Sequence, residues 1–91
     1  MSRGVAERFG ANLSHLREQA EVTQEELAFR ASLHRTEIGL LERGGRLPRI
    51  DTLAKLAGAL GVEPGELFEG IEWTPGDFQR GQFKPDDPAT L

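Results

Sequence analysis

Residues 23–44 read TQEELAFRASLHRTEIGLLERG, and this stretch decides the fold. It divides into two short helices around a tight turn. Thr23 stands three residues before Glu26, the spacing of a capping box: the Thr hydroxyl accepts from the Glu26 amide and the Glu26 side chain reaches back. The first helix covers about residues 24–31, with Leu27, Ala28 and Ala31 inward. Ala28 is small, as a close helix crossing requires. Ser32, Leu33 and His34 form the turn. Leu33 and Ile38 stand five apart around a cap at His34, the spacing of a hydrophobic staple. The second helix covers about residues 35–43. Ile38 and Leu41 make its apolar back, while Arg35, Thr36, Gly39 and Leu40 face outward. Gly44 and Gly45 supply a left-handed stop.

Two short helices joined in this way, the second polar at its start and apolar behind, have the layout of a helix-turn-helix. In that motif the second helix enters a DNA major groove. The flanking sequence supplies the support. Val5, Phe9, Leu13, Leu16 and Ala20 recur at steps of three and four, one apolar stripe on a helix over about residues 3–20. Pro48 rules out helix through residues 46–47. A further helix runs over about residues 50–60, with Leu53, Leu56, Ala57 and Leu60 buried and Gly61 ending it. Pro64 fits the first position of a short helix over about residues 64–68, and Gly70 closes the helical part. The expected fold is therefore all-α, with five helices in a single domain over residues 1–70.

Residues 71–91 change character and form a C-terminal extension. TPGD at 74–77 is a strong turn signal. Ile71 and Trp73 before it, and residues 78–83 after it, have the composition of two strands of a β-hairpin. The last six residues, DDPATL, read as a frayed end. No internal repeat is visible.

Composition limits the function classes. A chain of 91 residues accommodates one domain. There is no cysteine, hence no disulfide framework and no cysteine-based metal site. His15 and His34 are far apart, so no metal is expected. No apolar run approaches the roughly 20 residues that span a bilayer, and the N-terminus lacks the apolar core of a signal peptide; a cytoplasmic protein without membrane contact is the expectation. No nucleophile–base pair, phosphate-cradling loop or small-molecule site stands out, which argues against an enzyme and against a cofactor. The net charge of −4 opposes DNA binding, but it is unevenly spread. Residues 30–49 hold five Arg against Glu37 and Glu42, whereas residues 63–91 hold seven acids against Arg80 and Lys84. Binding responds to the local patch more than to the sum.

Residues 9–69 resemble the Xre-type, lambda-repressor-like helix-turn-helix family. The resemblance rests on LR at 16–17, TQEELA at 23–28, A-x-L-x-R-x-x-I-x-x-L-E-R-G from Ala31, P-x-x-D-T-L-x-K-L-A-x-A-L-G-V from Pro48, and ELF at 66–68, in family order and spacing. It implies a five-helix domain and a dimeric, double-stranded-DNA-binding regulator of transcription, usually a repressor. It implies that Gln24 holds a phosphate and braces the first residue of the recognition helix. Arg35 and Thr36 match base-contacting positions; Arg can take guanine O6 and N7 together. Gly39 and Leu40 depart from the family's usual residues at the same outward face, Gly39 allowing close approach and Leu40 reaching a thymine methyl. His34 stands where Ser or Thr commonly caps and offers a phosphate contact. Arg43 and Arg46 match the phosphate-contacting end of the helix and its loop. Arg17 and Glu42 match an architectural ion pair. Glu37 is either a helix cap or an acceptor for cytosine.

In the family the fifth helix usually carries the dimer contact, which here implicates Leu67 and Phe68. Ile71, Trp73, Phe78 and Phe83 add apolar area, and a hairpin edge offers a second contact across a two-fold axis; the extension is expected both to pack on the domain and to help dimerise it, the alternative being that it only covers its own core. The competing function is a protein-interaction adaptor or antitoxin-type module, built on the same fold with weak DNA binding.

Overall fold

The computed structural model describes residues 4–78 and 80–84. Its order is α1 (Val5–Gln19), α2 (Gln24–Ala31), α3 (Arg35–Glu42), α4 (Ile50–Leu60) and α5 (Pro64–Leu67), then a two-stranded antiparallel hairpin of β1 (Trp73–Thr74) and β2 (Gln82–Phe83). Arg3, expected to start α1, and residues 86–91, expected to fray, lie outside the described residues. No described helix is long and apolar enough to cross a membrane.

The helices form around one core of Phe9, Leu13, Leu27, Ala28, Ala31, Ile38, Leu41, Leu56, Ala57 and Leu67. α1 packs on α3 and α5, α2 on α3 and α4, and α4 on α5. Burying each large side chain contributes about 1.5–3 kcal/mol. Three expected stripe members differ. Ala20 is exposed because α1 ends one residue earlier, at Gln19. Leu53 and Leu60 are only half-buried, lying at the edge of the core.

Gly10 is the residue that sets the distance between α1 and α3. A β-carbon built there would lie 2.3 Å from the Leu41 carbonyl oxygen and 2.6 Å from that of Glu42. No side chain fits, so α1 can rest directly on the last turn of α3. The chain then leaves α3 through Gly44, at φ 74°, a left-handed conformation that glycine adopts without steric cost. Its amide donates to the Leu41 carbonyl at 3.1 Å, and the Gly45 amide to the Leu40 carbonyl at 2.9 Å.

The extension is a hairpin, but a shorter one than its composition suggests. Trp73 faces Phe83 and Thr74 faces Gln82, and the Lys84 amide donates to the Glu72 carbonyl at 2.7 Å. Phe78, expected in the second strand, sits instead in the connecting turn at φ 53°. The Trp73 and Phe83 rings meet edge-to-face at 5.1 Å.

Candidate nucleic-acid interface

The recognition unit is built from α2, its turn and α3. Thr23 caps α2, its hydroxyl accepting from the Glu26 amide at 3.0 Å. The reciprocal half of the expected capping box is absent, because the Glu26 carboxylate turns outward to accept from Arg30 at 2.9 Å. Ser32 ends α2 in the left-handed region at φ 56°. The Leu33 amide donates to the Ala28 carbonyl at 2.9 Å, and Leu33 itself packs against the core. His34 precedes α3 in an extended conformation and makes no side-chain cap. It is exposed.

Arg35 and Thr36 are exposed at the start of α3, while Ile38 and Leu41 behind them are fully buried. The Arg35 guanidinium reaches back to α2 and pairs with Glu25, Nε to Oε2 at 3.1 Å. Two of the outward expectations are corrected. Gly39 is buried: the Arg43 guanidinium lies over it, one turn along, so that a β-carbon would meet Nη1 at 3.0 Å. Leu40 is half-buried, its Cδ1 pressed against Gly45; it anchors the loop that follows α3. Of the outward positions, Arg35 and Thr36 are exposed, as is Arg43 at the C-terminal end of the helix.

The far end of α3 is held by Glu42. Its carboxylate accepts from Arg17 at two points, Nε to Oε2 at 2.6 Å and Nη2 to Oε1 at 3.3 Å. The remaining Arg17 nitrogen, Nη1, donates to the Val22 carbonyl at 2.9 Å. Gln24 donates to the same carboxylate at 2.9 Å, so it braces the last residue of α3 and not the first. The side chains of Arg17 and Glu42 are 15% and 8% exposed. The Glu42 hydrogen bond pushes the Arg17 pKa above its ordinary value, against the opposing effect of burial. Glu42 thus ties α1 and α2 to α3 through fully formed, charge-assisted hydrogen bonds, the strong kind.

Arg46, expected on phosphate, is hydrogen-bonded to Glu37. That bond, foremost among the causes, holds the Glu37 carboxyl below its usual pKa. Glu37 is therefore occupied in joining the first turn of α3 to the loop after it. Arg49 pairs with Asp51 at 3.3 Å. The acids around the recognition helix, Glu25, Glu37 and Glu42, are each matched by an arginine. This removes much of the repulsion that a net charge of −4 would suggest for this face.

Among the expected dimer residues, Leu67 is fully buried in the core and is not available to a partner. Phe68 and Trp73 are exposed, and Ile71 is half-buried. Three contributors are not apparent from the helix-turn-helix pattern alone. Gly10 sets the α1–α3 crossing; its signal is a glycine inside a strong helical stripe, which costs about 1 kcal/mol without a packing reason. Glu25 holds Arg35, a pairing that crosses between helices and follows no local spacing rule. Asn12 donates to the Leu67 and Glu69 carbonyls, both at 2.9 Å, fixing the end of α5 on α1. Among the described residues no group of three or more His, Cys, Asp or Glu is placed to hold a metal ion.

The helix-turn-helix family profile matches residues 13–67. Control protein C.BamHI of Bacillus amyloliquefaciens is 37% identical over 70 residues, covering 76% of this chain and 86% of that protein. An uncharacterised HTH-type transcriptional regulator of Sinorhizobium fredii is 41% identical over 66 residues, covering 72% and 86%. The crystal structure of the restriction-modification controller protein C.AhdI from Aeromonas hydrophila superposes with a TM-score of 0.68 at 43% identity, covering 69% of this chain and 96% of that one. With this match, and with α3 presenting a wet start and a buried back, the chain belongs to the Xre-type, lambda-repressor-like helix-turn-helix family of DNA-binding transcription regulators.

Proposed function

We propose that the protein is a homodimeric, sequence-specific binder of double-stranded DNA that represses transcription in the cytoplasm, with no enzymatic activity of its own. The observation that carries this is the division of α3: Arg35 and Thr36 exposed at its start, Ile38 and Leu41 fully buried behind. A helix held in this way enters a major groove with Arg35 foremost, where a bidentate contact to guanine gives roughly 1–3 kcal/mol of discrimination. Arg43 supplies phosphate affinity and register. Two copies give two recognition helices, which suits half-sites about one helical turn apart. The likeness to C.AhdI and C.BamHI supports control of a restriction–modification operon as the regulatory setting.

The test is a selection from random duplexes followed by binding measured against salt. Phosphate-dominated binding with about six contacts loses roughly a thousandfold in affinity between 50 and 200 mM salt. Arg35→Ala relaxes the preference at one base pair of each half-site and leaves the rest of the operator intact. A second reading, a protein-interaction adaptor, draws support from one observation: Arg35 and Arg46 are already paired with acids of the same chain. Absence of any duplex shift at low salt would favour it.

A further inference from the structure

We infer that the hairpin is an exchange arm: its tip residue Phe78 enters an apolar cleft on a second copy of this chain, and the second copy returns the contact. The inference rests on the dimeric reading above and names the surfaces that make the dimer.

The two strands of the hairpin pack chiefly on each other. An isolated two-stranded hairpin is marginally stable in water, and this one has strands of two residues each. It nonetheless exposes Trp73, Phe78 and Phe83. Phe78 is 104% exposed, so its ring touches almost nothing in its own chain. It also occupies the left-handed backbone region, at φ 53°, where a bulky side chain is a genuine outlier. Such short strands offer too few free backbone groups for edge pairing, so the contact must come from the side chains.

The same chain carries a receptacle. Val5, Phe9, Leu47, Pro48, Ile50 and Phe68 are among the residues lining a cleft of about 160 Å³. An apolar cavity of about 150 Å³ accepts a benzene ring. Ile50, on its lip, is 85% exposed. At the lip of the cleft Arg49 and Asp51 pair with each other at 3.3 Å, so the fit of tip and cleft is one of apolar surfaces. Two complementary patches on one chain, each used once by each copy, generate a closed two-fold pair.

The area also fits. With typical burials of 150–250 Å² per aromatic side chain, Phe68, Trp73, Phe78 and Phe83 expose on the order of 500 Å² together. Leu47 and Ile50 add to it. A standard interface takes about 800 Å² from each partner, so the tip, its hairpin aromatics and the cleft together can supply most of a stable dimer contact.

Sedimentation velocity over a range of protein concentrations, without DNA, tests the inference. The wild-type chain should be a reversible dimer. Phe78→Asn keeps the turn, because Asn tolerates the left-handed region. Ile50→Glu keeps the fold, because an acid is favourable in the first turn of a helix. Each should raise the dissociation constant at least about tenfold, the effect of losing one anchor at an interface centre. Mixing the two variants should restore association beyond either alone, since one intact tip then meets one intact cleft. A wild-type monomer, an unweakened Phe78→Asn dimer, or a mixture no better than its components would each overturn the arm. Duplex binding at low salt is measured in parallel. If it is lacking while the association pattern holds, the arm stands and only the DNA-binding reading fails.

Discussion

Replacing Gly10 by Ala should destabilise the fold, although alanine is the better helix former. The added β-carbon would lie 2.3 Å from the Leu41 carbonyl oxygen, where ordinary contact begins at 3.4 Å. The obstacle is backbone and cannot rotate aside, so α1 and α3 must part by about 1 Å, a case of overpacking whose usual cost is about 1–3 kcal/mol. A contact this short belongs at the upper end of that range. Helix propensity returns about 1 kcal/mol, leaving a net loss of roughly 2 kcal/mol. Gly58 provides the control: it lies in α4 with nothing within 4 Å of a built β-carbon. Only propensity acts there, so Gly58→Ala should gain about 0.5–1 kcal/mol. At about 4–8 °C per kcal/mol for a domain of this size, calorimetry should show Tm falling by about 8–16 °C for the first variant and rising by a few degrees for the second. Urea midpoints should move in the same directions. If Gly10→Ala melted at or above the wild-type temperature, the close crossing of α1 over the end of α3 would be wrong.

Three other outcomes follow from the site. Arg17→Met leaves the Glu42 carboxylate, only 8% exposed, with Gln24 alone; unfolding in urea should show a loss of about 3 kcal/mol, and Arg17→Met with Glu42→Leu should recover much of it. The Glu37–Arg46 bond gives an acid-side dependence: because the folded Glu37 pKa is lowered from 4.5, its stabilisation is present above the unfolded value and lost as pH falls through the folded one. Urea midpoints followed downward from pH 5 should therefore fall less steeply for Glu37→Gln than for wild type; parallel profiles would count against the pair. Arg43→Ala should weaken duplex binding about equally across sequences and flatten the logarithmic salt dependence by about one, as measured by fluorescence anisotropy.

Much of the helical fold is legible in the chain because its cues are local. The bounds of α2 and α4 follow from Thr23, Gly61 and stripes of Leu and Ala, and the staple of Leu33 and Ile38 marks the entry to α3. Contacts that depend on three-dimensional convergence are not legible in this way. Gly10 and the carbonyls it admits are more than thirty residues apart, and nothing in the periodicity of α1 tells a tolerated glycine from a required one. Gln24 stands beside the start of α3 in the family pattern, yet its amide finds Glu42, at the other end of that helix. Leu67 and Phe68 are neighbours of equal hydropathy in effect; only the turn of a one-turn helix decides that the first enters the core and the second stays outside. Gly39 and Leu40 lie near the outward face of α3, but the long Arg43 side chain folds over one and the Gly45 loop receives the other.

Glu42 secures α3 at the end remote from Arg35, with Arg17 and Gln24 as its two moorings. Sequence drift at the leading positions therefore leaves the scaffold's fastening untouched. On the proposed DNA-reading role, the side chains at positions 35 and 36 can be exchanged without renegotiating how the domain holds together.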